Sequence, residues 1–206
     1  MQANPADQAF PAPPGEVVLT QGVPARVGDQ LLALGDAVAG ADGRRRVDVT
    51  LGNDGGEAPW QSRVVLRAGE VFPAHGGFLR LQTLDADARA RATATIAQAV
   101  DTGGIAAPPA TDRVLVQGGR VRFSGRWLAL VAVEGDTAVV EYWQATQARS
   151  RLSDDQVTRQ RVRAGETLDL GADSAALPVT RVQAGAGEVL GFVAFEPAPA
   201  AAASAL

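Results

Sequence analysis

The chain of 206 residues matches itself at a constant offset of 96 positions. Eight of the seventeen residues in 18–34 are identical to the residues opposite them in 114–130, without a gap. At the same offset, Arg67-Ala68-Gly69-Glu70 recurs as Arg163-Ala164-Gly165-Glu166. Because the offset returns to one value beyond stretches that differ, the repeat predicts two copies of one unit. Two copies with so long a period indicate a duplicated domain rather than a solenoid, whose repeats are about 20–45 residues long.

Glycine and proline divide both copies into short segments that are typical of β-strands. The chain has 23 Gly and 12 Pro, which favours many short elements joined by tight turns. We therefore predict an all-β chain in which a β-sandwich or small β-barrel of roughly 85–96 residues occurs twice. The predicted strands lie near 17–20, 24–27, 30–38, 45–51, 63–67, 78–84 and 90–97, and near 113–117, 120–123, 126–134, 137–144, 158–163, 177–183 and 188–195.

The stretch 85–98 allows two interpretations. Its alanine content favours a helix. Its counterpart at an offset of 98 ends in 188–196, a segment rich in Val and Phe that is typical of a strand. Arg91, Thr93 and Thr95 also alternate with apolar residues, as in a strand with one buried face. We therefore predict a strand over 90–97.

Composition also sets the predicted domain boundaries. Residues 1–15 are rich in Ala and Pro, and residues 198–206 are mostly Ala. We expect both segments to be flexible tails. Between them, the repeat predicts a first β domain over 16–98, a linker rich in Gly, Pro and Ala over 99–112, and a second β domain over 113–197.

The residue types that are missing exclude several chemistries. The chain has no Cys and no Lys, so disulfides, thiolate metal sites, Schiff bases and a P-loop lysine are excluded. A net charge of −4 leaves no general basic surplus, and we expect no nucleic-acid partner. No apolar run approaches the ~18 residues of a membrane span. No glycine-rich phosphate loop opens a helix, and we expect no cofactor.

The first seven residues lack the positive and apolar regions of a secretory signal peptide. If Met1 is the native start, we expect a cytoplasmic or virion location. If a signal peptide has been removed, a periplasmic or secreted location fits equally well.

The spacing of Gly69 and His75 resembles the opening of the first cupin motif, and two tandem β domains resemble a bicupin. A cupin metal site needs a second histidine where Gly77 lies, and the second copy has Gly171 opposite His75. One imidazole does not make the usual transition-metal site, so we assign no metal ligand. A Ser–His–Asp triad would also need His75, and no G-x-S-x-G motif occurs, so no catalytic residue is assigned.

Glu70 and Glu166 occupy equivalent positions in the two copies. Repetition in both copies favours a structural role, in which each carboxylate accepts hydrogen bonds from backbone N–H groups of its own turn.

Three arginines, Arg159, Arg161 and Arg163, alternate along a predicted strand and therefore share one face. Arg120 and Arg122 form a second alternating pair. Such a face suits an acidic protein surface or a polyanion. The alternative is a solvated, charged sheet edge that discourages pairing with other chains.

Three aromatic residues are candidate binding residues. Trp60 lies in a predicted loop, where an exposed ring could stack on a sugar or anchor a partner, or could fold back over the core. Tyr142 and Trp143 are adjacent on a strand and point to opposite faces, so we expect one of them to face outward or into an interface.

These exclusions favour a non-enzymatic structural or protein-interaction module, with another protein or a further copy of the chain as its partner. One alternative is a β-sandwich that binds a carbohydrate or another polymer through Trp60, Tyr142 or Trp143. Two others are less favoured: a hydrolase with two carboxyl groups about 5–9 Å apart, and a degenerate bicupin.

Overall fold

The computed structural model describes residues 15–27, 30–40, 42–53, 60–74, 76–86, 91–171 and 176–197. The predicted tails lie outside these ranges except for Gly15, and so does His75.

The described residues form sixteen strands, two short 3-10 helices at Arg149–Arg151 and Asp154–Gln156, and no α-helix. Within these ranges, no helical segment has the length and apolar character needed to cross a bilayer. The first half contains β1 Glu16–Thr20, β2 Ala25–Val27, β3 Gln30–Ala39, β4 Arg45–Asn53, β5 Gln61–Leu66, β6 Val71–Ala74, β7 Gly77–Asp85 and β8 Thr93–Gln98. The second contains β9 Arg113–Val116, β10 Arg120–Phe123, β11 Arg126–Glu134, β12 Thr137–Gln144, β13 Thr158–Arg163, β14 Thr167–Leu168, β15 Leu177–Gln183 and β16 Phe192–Phe195.

These strands form three antiparallel sheets, which confirms the all-β sandwich prediction. One four-stranded sheet has the order β1-β8-β7-β6, and another has the order β14-β15-β16-β9. The third has eight strands in the order β13-β12-β11-β10-β5-β4-β3-β2. Numbering each half from its first strand gives the same pair of orders, 1-8-7-6 and 2-3-4-5. The matched orders support the predicted duplication, which stays a prediction. The domain boundaries also stay predictions.

Each half has its own apolar core between its four-stranded sheet and its part of the eight-stranded sheet. On β5, Val64 and Leu66 point into the first core, whereas Arg63 and Val65 point away from it. We call the side of the eight-stranded sheet that faces away from both cores its outer face. Burying one such Val or Leu side chain stabilises the fold by about 1.5–3 kcal/mol.

The structure confirms the strand predicted within 85–98 and adds two short strands. β8 covers Thr93–Gln98, so tertiary pairing with β1 and β7 overrides the helix propensity of its alanines. β6 and β14 were not predicted. β6 contains Pro73, and a proline ordinarily argues against a strand. β6 is the end strand of its sheet, however, and an end strand tolerates a missing N–H group.

The two halves join where β5 of the first half pairs with β10 of the second, and we call this line the seam. Arg63 lies opposite Arg120, and Ser62 lies opposite Val121. Gly119 makes the approach possible, because a Cβ atom there would lie 2.8 Å from the carbonyl oxygen of Val116 and 3.0 Å from that of Arg63.

A third, smaller apolar cluster also connects the halves. The rings of Phe78 and Phe192 meet edge to face with centroids 6.2 Å apart. Beside them, the N–H of Val71 donates to the carbonyl of Glu188 at 2.9 Å, and the N–H of Leu190 donates to the carbonyl of Val71 at 2.8 Å. The halves therefore touch on two sides of the molecule.

The connecting stretch 99–112 lies against this third cluster. Ala99, Ile105 and Ala107 pack on it, and Arg181 donates to the carbonyl of Ala106 at 2.9 Å. The connection is thus part of the packed structure.

Candidate functional site

Trp60 is buried, so of the two alternatives for this residue the structure shows the ring folded back over the core and not the exposed ring. Its side chain is 6% exposed and belongs to the core of the second half, although the residue immediately precedes β5 of the first. The ring lies 5.8 Å from Phe123 and 5.9 Å from Phe195, and Nε1 donates to the carbonyl of Val114 at 2.9 Å. A ring enclosed in this way offers no free face to a sugar, and it fastens one half to the other instead.

Tyr142 and Trp143 point to opposite sides of β12, as predicted, but neither is a free platform. Tyr142 packs against the second core with the guanidinium of Arg126 over its ring. Trp143 lies on the outer face, yet it is only 4% exposed, because the segment after β12 lies against it. Its Nε1 donates to the carbonyl of Gln147 at 3.1 Å. The expected outward-facing aromatic is therefore covered.

The three arginines of β13 share the outer face, as predicted, and each is paired with an acid. Arg159 reaches Glu141 at 2.5 Å, Arg161 pairs with Glu134, and Arg163 lies 3.5 Å from Asp136. These contacts neutralise the row, which matches the charged-edge interpretation more closely than the polyanion-binding one.

Glu141 binds two arginines of this region. It is 8% exposed and accepts hydrogen bonds from both Arg159 and Arg149. Burial raises the pKa of the Glu141 carboxyl, but the hydrogen bonds and charges of the two arginines outweigh that effect, so its pKa lies below the ordinary value. The carboxylate is therefore held in its charged form.

A different set of arginines is exposed at the seam. Arg63, Arg120 and Arg122, which we call the seam arginines, project from β5 and β10 onto the outer face. Among the described residues, no acidic side chain forms an ion pair with any of the three. Arg120 lies over the ring of Trp127, 5.5 Å from its centroid. The seam thus gathers three positive charges that make no ion pair with a described residue, on a protein that is acidic overall.

The geometry of the seam arginines is fixed by the sheet. Residues directly opposite on antiparallel strands have Cβ atoms about 4.5–5.5 Å apart, which applies to Arg63 and Arg120, and like charges in this position destabilise the sheet. Arg122 follows Arg120 on the same face, roughly 7 Å further along the strand. The next positions in the Arg63–Arg120 row, Thr50 and Ala129, are small. The three arginine side chains therefore start from adjacent positions on one face, beside Trp127, which lies opposite Arg122.

Apolar surface adjoins this charge. Val65 follows Arg63 on the same face and is 46% exposed, and Val131 is 44% exposed. Both line a cleft of about 550 Å³ that opens between the halves and also contacts Arg67 and Glu70. Arginine beside exposed apolar side chains is typical of the centre of a protein–protein interface.

Sequence reasoning noticed Arg120 and Arg122 as an alternating pair but not Arg63. The pattern Gln61, Arg63, Val65 alternates with buried residues and marks an outer face. What the pattern cannot reveal is that β10 lies beside β5, since this pairing is made 57 residues away along the chain.

The repeated glutamates have the predicted structural role. Glu70 accepts a hydrogen bond from the N–H of Arg67, and Glu166 accepts one from the N–H of Arg163, both at 2.8 Å. Gly69 and Gly165 take positive φ angles of 96° and 84° in these turns.

Another arginine, Arg113, is buried inside the molecule. Arg113 begins β9, is 8% exposed, and has its guanidinium 5.6 Å from the ring centroid of Trp60 and 5.2 Å from that of Phe123. Burial lowers the pKa of the Arg113 guanidinium.

In the part of the chain that the structure describes, no three His, Cys, Asp or Glu side chains come together as metal ligands. The chain matches no protein-family model, no curated protein and no solved structure.

Proposed function

We propose that this protein is a non-enzymatic interaction module, and that its partner is a protein that places an acidic segment on the seam arginines. The observation that carries the proposal is that Arg63, Arg120 and Arg122 lie together on one exposed sheet face and that none of them forms an ion pair with a described acidic side chain.

The contrast between the two arginine groups supports this choice of surface. On β13, each arginine pairs with an acid on β12, on β11 or in the turn between them, as Arg159 does with Glu141. At the seam, the neighbouring positions Thr50 and Ala129 could hold an acid but do not. A fold that keeps a repulsive pair such as Arg63 and Arg120 gives up stability, which is common at binding sites.

Guanidinium groups suit carboxylates, because two parallel N–H groups can donate to the two oxygens. The exposed Val65 and Val131 supply the apolar contact that a protein segment can use and a bare polyanion cannot. A nucleic-acid partner is less favoured, since the protein has a net charge of −4 and presents only three such arginines.

The carbohydrate-binding alternative loses its main support, because Trp60 and Trp143 are buried and Tyr142 packs on the core. The hydrolase stays a prediction that no described contact favours. Self-assembly through the seam is not part of the proposal, and the experiment described next distinguishes it from binding of another protein.

Fluorescence anisotropy tests the proposal with a labelled glutamate peptide of about eight residues, which is long enough to span the three arginines in an extended conformation. A glutamine peptide of the same length and a single-stranded oligonucleotide serve as comparison probes. We expect the full-length protein to bind the glutamate peptide, with affinity that falls as salt is raised.

The variant Arg120→Gln/Arg122→Gln should reduce this affinity at least about tenfold, equivalent to ~1.4 kcal/mol. The matched control is Arg161→Gln/Arg163→Gln, which removes two alternating charges from one strand of the same face. Equal losses in both variants, or tighter binding of the oligonucleotide than of the peptide, would overturn the proposal. Salt-sensitive oligomers lost in the seam variant alone would instead identify a second copy as the partner.

A further inference from the structure

Arg113 is an enclosed cation without a counter-ion among the described residues. Its side chain is 8% exposed, and the rings of Trp60 and Phe123, whose centroids are 5.8 Å apart, lie next to each other on one side of its guanidinium. Within the described ranges, no hydrogen bond or ion pair reaches its guanidinium. Buried charges in proteins are ordinarily paired, because removing an ion from water is costly.

Two aromatic faces offset part of that cost, since each ring attracts a cation through its quadrupole. They do not replace the hydrogen bonds that the five N–H groups of a guanidinium can donate. An apolar side chain of similar length could fill the same space without any such cost. Arg113 is therefore a buried cation whose N–H groups donate no hydrogen bond to a described residue.

The guanidinium still reaches solvent. Among the described residues, the side-chain atoms that are completely enclosed without a hydrogen-bond partner belong to Arg46 and Asp48, and none belongs to Arg113. The nitrogens of Arg113 thus keep a narrow opening to the surface, since the residue is 8% exposed.

We propose that Arg113 forms the floor of a binding site for one small oxyanion, the chemistry that carboxylates and phosphates share. The rings of Trp60 and Phe123 both lie on one side of the guanidinium, so the edge turned away from them is what a ligand meets. An edge presents parallel N–H donors to two oxygen atoms, which is the arrangement that carboxylates and phosphates match. The narrow opening admits a single terminal group rather than a broad charged surface.

This site is separate from the seam arginines. Arg113 belongs to β9 of a four-stranded sheet, whereas the seam arginines lie on the outer face of the eight-stranded sheet. The inference therefore stands or falls independently of the proposed partner.

Thermal unfolding of the full chain tests it, with sodium acetate and sodium phosphate titrated against sodium chloride at equal ionic strength. We expect Tm to rise and then saturate with acetate, with phosphate, or with both, since a ligand that binds only the folded state stabilises it. The two titrations show which of the two anions the site takes. The saturating rise should disappear in Arg113→Met and remain in Arg120→Met, which removes an exposed arginine at the seam. A rise that does not saturate, and that is equal in the wild-type protein and Arg113→Met, is a general salt effect and would overturn the proposal.

A second measurement needs no variant that might fail to fold. The indole N–H resonance of Trp60 should move in a saturable way as acetate or phosphate is added, because the ring lies 5.6 Å from the guanidinium. A Trp60 resonance that stays still throughout both titrations would also overturn the proposal.

Discussion

The indole nitrogen of Trp60 donates a hydrogen bond to the carbonyl oxygen of Val114, 2.9 Å away, and thereby ties the start of β5 to β9. We predict that Trp60→Ala destabilises the protein by about 3–5 kcal/mol, the usual cost of removing a buried aromatic side chain. Urea unfolding would measure the loss. As a control, Val131→Ala, at an exposed position, should change stability by no more than about 0.5 kcal/mol. A similar small effect for Trp60→Ala would contradict its role between the halves.

Gly119 gives a second prediction at the seam. Gly119→Ala places a Cβ atom 2.8 Å from the carbonyl oxygen of Val116, so the strands must shift, at a cost of about 1–3 kcal/mol. The counterpart of Gly119 at an offset of 96 is Val23, which is 45% exposed. Val23→Gly should cost less than about 1 kcal/mol. Equal costs in urea unfolding would mean that the seam does not constrain Gly119.

The glutamate turns predict a pair of matched effects. Glu70→Ala and Glu166→Ala each remove the acceptor for a backbone N–H at 2.8 Å and should each cost about 1–2 kcal/mol. Glu70→Gln and Glu166→Gln keep an acceptor oxygen and should retain most of that stability. If the glutamine variants were as unstable as the alanine variants, charge rather than the turn hydrogen bond would be responsible.

Glu141 predicts how stability depends on pH. Burial raises the pKa of Glu141, but Arg159 and Arg149 outweigh burial and hold it below its ordinary value of 4.5. Its contribution to stability is therefore complete above that value and is lost as pH falls through the lower, folded-state pKa. Glu141→Gln should therefore lower Tm at about pH 7 and flatten the fall in Tm below about pH 4. A Tm profile parallel to that of the wild-type protein over this range would contradict the prediction.

The repulsion between Arg63 and Arg120 predicts a gain in stability. Arg63→Gln should stabilise the protein by about 0.2–1 kcal/mol at low salt, since it removes a like-charge pair directly opposite across the strands. The gain should shrink as salt screens the charges. Arg161→Gln is the control, because Arg161 is paired with Glu134 and its loss should bring no gain. Destabilisation by Arg63→Gln at every salt concentration would show that the pair is not repulsive.

How far the sequence could predict this molecule depended on the distance over which each residue acts. Alternation along one strand placed Arg159, Arg161 and Arg163 on a single face, and the repeated tetrapeptide placed Glu70 and Glu166 in equivalent turns. Both are local patterns.

The burial of Trp60 was not predictable in the same way. It depends on a core built from strands that begin more than fifty residues later, and a loop tryptophan looks the same in sequence whether that core is present or not. The seam arginines also come together on one surface only because β10 pairs with β5. Long-range pairing, rather than any local propensity, decided which candidates became accessible.

The union of β5 with β10 has a consequence for copy number. If the same contact formed again at the free ends of the eight-stranded sheet, one molecule would add to the next without limit. The counterparts at an offset of 96 do not repeat the contact residues, since Val23 stands in place of Gly119 and Gln156 in place of Trp60. β13 carries Gln160 where β5 has the buried Val64. The set of residues that makes the contact between β5 and β10 therefore occurs once in the sequence.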